Sequence, residues 1–169
     1  AVIRLPRISN FTDFDPLEQE ASVRLRYVSA AVELGAPVYR TRLPDGQAGR
    51  PDVVILPGTK STMADLAFLR RQGLADGICR LAKQGAVVLG ICGGFQMLGQ
   101  WLYDPSHVES RESAMQGLGL LPTNTLFLPT KVTAQVKGVH LESGEKVSGY
   151  EIHMGRLQGA TRGKPIFRL

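Results

Sequence analysis

The 169-residue sequence holds only two cysteines, Cys79 and Cys92, too few for a disulfide framework and too far apart for a paired redox or zinc motif. Aromatic residues are scarce, at 7%. Lys and Arg outnumber Asp and Glu by 20 to 15, a net charge of +5. The basic residues (Arg4, Arg7, Arg24, Arg26, Arg40, Arg42, Arg70 and Arg71 among them) are nevertheless scattered and form no stripe interleaved with aromatics, which argues against nucleic acid as a partner. No apolar run approaches the ~18 residues that cross a bilayer, and no basic-then-apolar leader opens the chain. These absences point to a soluble cytoplasmic domain with neither a membrane nor a nucleic acid as partner. No internal repeat or low-complexity tract is present. The chain begins Ala1-Val2-Ile3 without an initiator Met and breaks off in the apolar run Ile166-Phe167-Arg168-Leu169, so it reads as a piece of a longer protein.

What is present is an ordinary globular composition, 43% hydrophobic and 21% charged, of a length that suits one domain. Short β-rich runs alternate with helical patterns, the mark of βαβ units and a mainly parallel sheet, so the fold class is α/β. Strands are expected over Ala1 to Leu5, near Leu25 to Ser29, at Ala36 to Tyr39, over Asp52 to Leu56 and over Ala86 to Leu89. Asp15 before Pro16 is a candidate helix cap. Ser61 or Thr62 is the candidate cap for a helix through Leu66, Leu69 and Arg70, with Asp65 as its acidic first-turn partner. Gly73 divides that helix from a second, Leu74 to Lys83. A further helix is expected to carry Phe95, Met97, Leu98 and Trp101. A polar segment then runs to Gln116, followed by strand-like runs Thr125 to Leu128, Val132 to Val139 and Lys146 to His153. From Gly155 onward the tail reads as a loop.

The most informative turn is Gly90-Ile91-Cys92-Gly93-Gly94, where an apolar strand hands over to a helix. Glycines flank the cysteine because a sharp strand-to-helix turn leaves no room for side chains, and such a nucleophile elbow presents its central residue at the carboxyl edge of the sheet. A helix N-terminus there favours the thiolate. The Gly93 amide follows the cysteine and is placed to donate to an oxyanion, and Gly58, in the turn after the neighbouring strand, is a second candidate donor. Two other readings of this turn stay open on the residues alone: a tight turn around an inert buried thiol, and a phosphate-binding glycine loop. Cys79, on the apolar stripe of its helix, reads as a structural thiol. Lys60 follows Gly58 in a loop that lacks the spacing of a phosphate-binding loop, which puts any ATP site elsewhere.

Gly90-Ile-Cys-Gly-Gly-Phe-Gln-Met-Leu-Gly99 resembles the nucleophile motif of class I (triad-type) glutamine amidotransferases. Together with Leu56-Pro-Gly-Thr-Lys-Ser-Thr62, Gly117-Leu-Gly-Leu-Leu-Pro122, Gly149-Tyr-Glu-Ile-His-Met-Gly155 and the opening Arg7-Ile-Ser-Asn-Phe-Thr-Asp-Phe-Asp15, it is similar to the glutaminase domains of the cobyric acid synthase family over essentially the whole chain. The resemblance implies a three-layer, flavodoxin-like fold and a glutaminase domain over residues 1–169. Cys92 would attack the side-chain amide of L-glutamine and pass through a thioester. Gly93 and Gly58 would be the oxyanion donors, and Gln96 would shape the glutamine pocket. No cofactor or metal is expected in this domain. ATP and magnesium are expected on an N-terminal amidoligase domain of the same protein, which amidates a corrinoid, adenosylcobyrinic acid a,c-diamide, in cobalamin biosynthesis. The nearest alternatives are the glutaminases of cobyrinate a,c-diamide synthase and of lipid II amidation, and an inactive binding module of the same fold.

The resemblance also places the histidine base in a Leu-His-Gly element beyond Leu169. It further implies no glutamate two residues after that base. Of the three histidines present, His107 in a polar loop and His140 in an alternating strand are expected to face solvent. His153, with Glu151 as a possible orienter, is the remaining candidate base, although its motif position favours a structural or substrate-side role. Without the downstream histidine the chain is expected to be a poor glutaminase.

Overall fold

The computed structural model describes residues 1–35, 50–159 and 163–169. The expected strand at Ala36 to Tyr39 lies outside these residues. Four short strands, β1 (Val2–Ile3), β2 (Tyr27–Val28), β3 (Val53–Leu56) and β4 (Val87–Gly90), form a sheet in the order β2-β1-β3-β4, with every pairing parallel. The alternation of side chains along a strand then sorts them. Val54 and Leu56 are fully buried in one core with Leu66, Leu69, Leu74, Ile78 and Leu81 of the two following helices. Each such leucine contributes about 2 kcal/mol by leaving water. On the opposite face the register sets Val53 beside Val87 and Ile55 beside Leu89, and Val53, Val87 and Leu89 are exposed.

Those helices are α2 (Thr62–Arg71) and α3 (Leu74–Lys83). Gly73 separates them with a left-handed φ of 67°, a conformation that costs a side-chain-bearing residue about 1 kcal/mol. Near the N-terminus, a 3₁₀ turn over Thr12–Phe14 runs straight into α1 (Asp15–Glu18). This corrects the expected cap: helical backbone is already established at Phe14, so Asp15 sits inside α1 at φ −54°, ψ −40° and Pro16 follows it. The local polar bonds come instead from Asn10, which donates to Asp13 at 2.5 Å and accepts from Thr12 at 2.9 Å.

Beyond Cys92 the chain departs from the expected pattern. Helix α4 spans only Gly93–Met97, and Trp101 opens a strand, β5 (Trp101–Tyr103). The helix ends because residues 97–100 are needed as partners by a returning segment. Leu118 N–H donates to Met97 O, Gly119 N–H to Gly99 O, Gly117 N–H to Gln100 O, and Gln100 N–H to Thr123 O. The backbones cross so closely that a Cβ on Gly117 would collide with the Gly99 carbonyl, and one on Gly99 would lie 2.6 Å from Thr123 O.

β5 belongs to a second sheet in the order β6-β5-β7-β8, with β6 (Ala114–Gln116) inside the segment that reads as polar in the sequence. β7 (Asn124–His140) and β8 (Lys146–Gln158) form a long antiparallel hairpin, and β9 (Phe167–Arg168) pairs with the far end of β7. The two expected runs Thr125 to Leu128 and Val132 to Val139 are thus one strand. The register shifts between Phe127 and Val132, around Pro129, which has no N–H to give to a ladder. The expected loop from Gly155 is also corrected. Residues 155–158 continue β8 because Gly155 to Gln158 find partners at Phe127 to Asn124.

Gly117→Ala is expected to destabilise the domain by about 1–3 kcal/mol through overpacking. Gly149→Ala, where a Cβ meets nothing within 4 Å, should be neutral or slightly stabilising. Urea unfolding of the two variants checks the contrast.

Candidate active site

The parallel pairing of β3 with β4 ends at Leu56 and Gly90, and Ile91 N–H extends it by donating to Leu56 O at 2.9 Å. The turns leaving the two strands therefore emerge side by side. A Cβ on Gly94 would strike the Leu56 carbonyl and lie 2.7 Å from Pro57 O, and one on Gly90 would lie 2.5 Å from the Phe95 Cα. Both glycines are required by close backbone approach. Cys92 bears the consequence: its φ of 50° and ψ of −111° are outside the range that L-residues ordinarily adopt, and its side chain is exposed. Such a conformation stores about 1–3 kcal/mol and is tolerated where the surroundings over-determine it. Here they do, through Gly94 N–H to Ile91 O at 2.8 Å and Gln96 N–H to Cys92 O at 3.1 Å.

Gly58 faces this elbow. A Cβ built on it would be 3.9 Å from the Cys92 Cβ and from Ile91 O, ordinary contact, so proximity and not crowding marks this glycine. Its carbonyl accepts from Ser9 N–H at 2.9 Å. Gly93 is the first residue of α4, a position whose amide has no acceptor within its own helix. A Cβ there would be 2.7 Å from the Thr59 methyl. The structure thus brings Cys92, Gly93 and Gly58 together.

Gln96 is half-buried, not a surface amide. Its Oε1 accepts from the Thr62 hydroxyl at 3.2 Å, and its amide nitrogen occupies the space a Cβ on Gly155 would need. Gly155 therefore ties the second sheet to the elbow helix, a contact not legible from the sequence. Two residues away on the same face of β8, His153 is bonded through Nε2 to Glu151 at 2.6 Å, while its buried Nδ1 has no protein partner. Among the described residues no histidine hydrogen-bonds the Cys92 thiol. His107 is exposed in its loop. His140 is half-buried at the end of β7, bonded to Ser143 at 2.7 Å and packed on Phe167.

The start of α2 corrects another expectation. Ser61 is the N-cap by backbone, but neither its hydroxyl nor that of Thr62 caps the helix. A carboxylate from a distant loop, Glu109, accepts from Thr62 N–H at 3.3 Å, and the Ser61 hydroxyl turns toward it at 3.5 Å. A charged acceptor outcompetes a hydroxyl at a helix N-terminus. That loop is held by the fully buried Asp104, whose carboxylate accepts from the amides of Val108, Glu109 and Ser110, each at 2.8 Å. Burial raises the Glu109 carboxyl above its ordinary 4.5, and the Asp104 charge adds to the rise. Asp65, expected only as a first-turn acid, is buried and paired with Arg7 at 3.0 Å. Neither the reach of Glu109 nor the Arg7–Asp65 pair has a sequence signal beyond the residue types.

Cys79 donates to Leu118 O at 3.6 Å, and burial, with Asp76 nearby, raises its pKa. Among the described residues no three metal-ligating side chains gather, and no helix is long and apolar enough to cross a membrane.

A cysteine on a strained strand-to-helix elbow, beside a glycine turn at the carboxyl edge of a parallel sheet, defines an α/β domain of the nucleophile-elbow type. The fold matches a solved glutamine amidotransferase at a TM-score of 0.65 and 15% identity, covering 99% of this chain and 79% of that one. More particularly, the model of the CobB/CobQ-like glutamine amidotransferase domain matches residues 1–169, and the chain belongs to that family. Among its relatives, the cobyric acid synthase of Moorella thermoacetica is 48% identical over 177 residues, covering 100% of this chain and 31% of that protein. That of Listeria monocytogenes is 46% identical over 169 residues, covering 100% and 30%, and that of Nostoc punctiforme 47% over 158 residues, covering 92% and 29%. The chain spans about 30% of the length of these curated relatives.

Two outcomes are expected. At neutral pH iodoacetamide should modify Cys92 about tenfold or more faster than Cys79, read by peptide-mapped mass spectrometry. For Glu109, a raised native pKa means the folded state holds the proton more tightly than the unfolded one, so stability is lost as pH rises from 4.5 through the native value. Glu109→Gln removes that slope. The Tm of the variant relative to the parent should therefore climb as pH rises over that window, measured by thermal unfolding across pH.

Proposed function

We propose that this domain hydrolyses the side-chain amide of L-glutamine and delivers the ammonia to an amidoligase domain of a longer protein. The reading rests on one observation above the others: the exposed Cys92 is followed by Gly93 and has Gly58 beside it, a Cβ built there lying 3.9 Å from its own, on turns locked by backbone contact. The Cys92 thiolate attacks the amide carbon. The oxyanion that forms lies between the two N–H donors, which do not have to reorganise as charge develops. The amide nitrogen takes a proton and leaves as ammonia, and water then cleaves the glutamyl thioester to glutamate and free thiol. Gln96, braced by Thr62 and Gly155, borders the glutamine pocket.

The general base comes from polypeptide outside these 169 residues. His153 is the alternative within them, but its Nε2 is already engaged by Glu151. The whole protein is a cobyric acid synthase, a reading supported by relatives of that name matching over the full chain. It amidates the side-chain carboxylates of adenosylcobyrinic acid a,c-diamide in the cytoplasm. The resemblance assigns ATP and magnesium to the amidoligase domain, and the Lys60 loop lacks phosphate-loop spacing.

In the full-length protein Cys92→Ser should lower glutaminase turnover by about a thousandfold or more. An electrophilic glutamine analogue should label Cys92, with protection by glutamine. His153→Asn should stay within about tenfold of the parent, because loss of a general base costs about 10²–10⁴. A fall of that size in His153→Asn, with loss of the corresponding limb of the pH profile, assigns the base to His153. Absence of glutamine-protected labelling refutes the glutaminase reading.

A further inference from the structure

Asp65 is fully buried in the first turn of α2, where an unpartnered carboxylate would be costly. Its partners come from two segments distant in sequence. Oδ1 accepts from the Arg7 guanidinium at 3.0 Å, and Oδ2 accepts from the Arg7 backbone N–H at 3.2 Å and from the Thr59 hydroxyl at 2.6 Å. The same two segments are laced by backbone: Lys60 N–H donates to Arg7 O at 2.9 Å, Ile8 bridges Thr59 antiparallel, and Ser9 N–H donates to Gly58 O at 2.9 Å. Thr59 is the hinge of the arrangement. Its hydroxyl lies 2.6 Å from Asp65 Oδ2, the shorter of its two acceptor contacts, and 3.1 Å from Arg7 O, and it accepts from Ser61 N–H at 3.1 Å. Once that hydroxyl is fixed, the χ1 of the threonine is fixed, and its methyl lies directly against Gly93.

We infer that Asp65 is a positioning residue for both oxyanion donors. Acting through Thr59, it sets the Gly58 turn from one side and the seat of Gly93 from the other, without touching substrate. A neutral pair of helix and loop would pack as well. A buried carboxylate with three donors instead favours one orientation, because rotation of Thr59 removes a donor from the buried Oδ2 and leaves only the Arg7 contacts. The inference rests on the oxyanion role given above to Gly58 and Gly93. It separates the chemical step from binding: donors misplaced by a few tenths of an ångström weaken the oxyanion but not the glutamine ground state.

The test uses the full-length enzyme with Asp65→Asn, Thr59→Val and Thr59→Ser. Asp65→Asn and Thr59→Val keep the shape of the site, and each should lower glutaminase kcat about 10- to 100-fold while KM stays within about threefold. The iodoacetamide rate at Cys92, which needs no oxyanion hole, should stay within about twofold of the parent. Thr59→Ser, which keeps the hydroxyl, should recover kcat to well above Thr59→Val. An unchanged kcat in the shape-preserving variants overturns the inference. So does a joint fall of kcat, iodoacetamide rate and Tm with a rise in KM, which marks a merely structural role. If Asp65→Asn does not fold, the Thr59 pair decides alone. A parent enzyme that consumes no glutamine overturns the glutaminase reading, and the role of Asp65 falls with it. A parent that turns over glutamine beside indifferent variants overturns the role of Asp65 alone.

Discussion

Backbone contact between the turns that leave β3 and β4 is the constraint on which the rest of the site depends. Gly94 lies against the carbonyls of Leu56 and Pro57, and Gly90 lies beneath Phe95. With no side chain between them, the two turns approach as closely as backbone allows, and Cys92 is driven to a positive φ with its thiol outward. The strain is modest and the neighbours over-determine it. A Cβ at Gly94 would separate the turns, and the distance between Gly58 and Gly93 would change with them.

Around this contact the molecule places buried acids that fasten one segment to another. Asp65 joins the Arg7 segment to the Thr59 turn. Asp104 folds the loop that delivers Glu109 to the start of α2. From there Thr62 bonds Gln96, and Gln96 packs on Gly155 of the second sheet. The elbow is thus braced from three directions, by the N-terminal segment, by the 104–110 loop and by the β7–β8 hairpin. Hydrophobic burial holds the helices on the sheet, but it is non-directional. The polar contacts are what fix the angle at which the turns face each other.

Much of the fold was legible in the sequence because local signals and tertiary demand agreed. The apolar runs ending at Leu56 and Leu89 became parallel strands, Gly73 divided two helices, and the glycine-flanked Cys92 marked its own turn. The failures have a common cause. Asp15 read as a cap, the Ser61 or Thr62 side chain as the group that closes the start of α2, and Trp101 as helical, on the assumption that each element is completed by its own neighbours. In each case the deciding partner lay elsewhere: the 3₁₀ turn before Asp15, Glu109 for Ser61 and Thr62, and the returning segment 117–123 for Trp101. The hairpin tail past Gly155 was missed because strand pairing, not composition, extends it to Gln158.

The sequence by itself determined the α/β class, the glycine-flanked turn at Cys92 and the family, since these follow from short-range patterns that few structures can satisfy. Glycine spacing around Cys92 dictates a sharp turn wherever that turn is set. Only the tertiary structure decided which distant residues brace the turn that carries the thiol. Arg7 and Asp65, Glu109 and Thr62, and Gln96 and Gly155 are separated by 47 to 59 positions along the chain. Their meeting depends on how the sheets, the helices and the hairpin pack together, a quantity that no window of sequence contains.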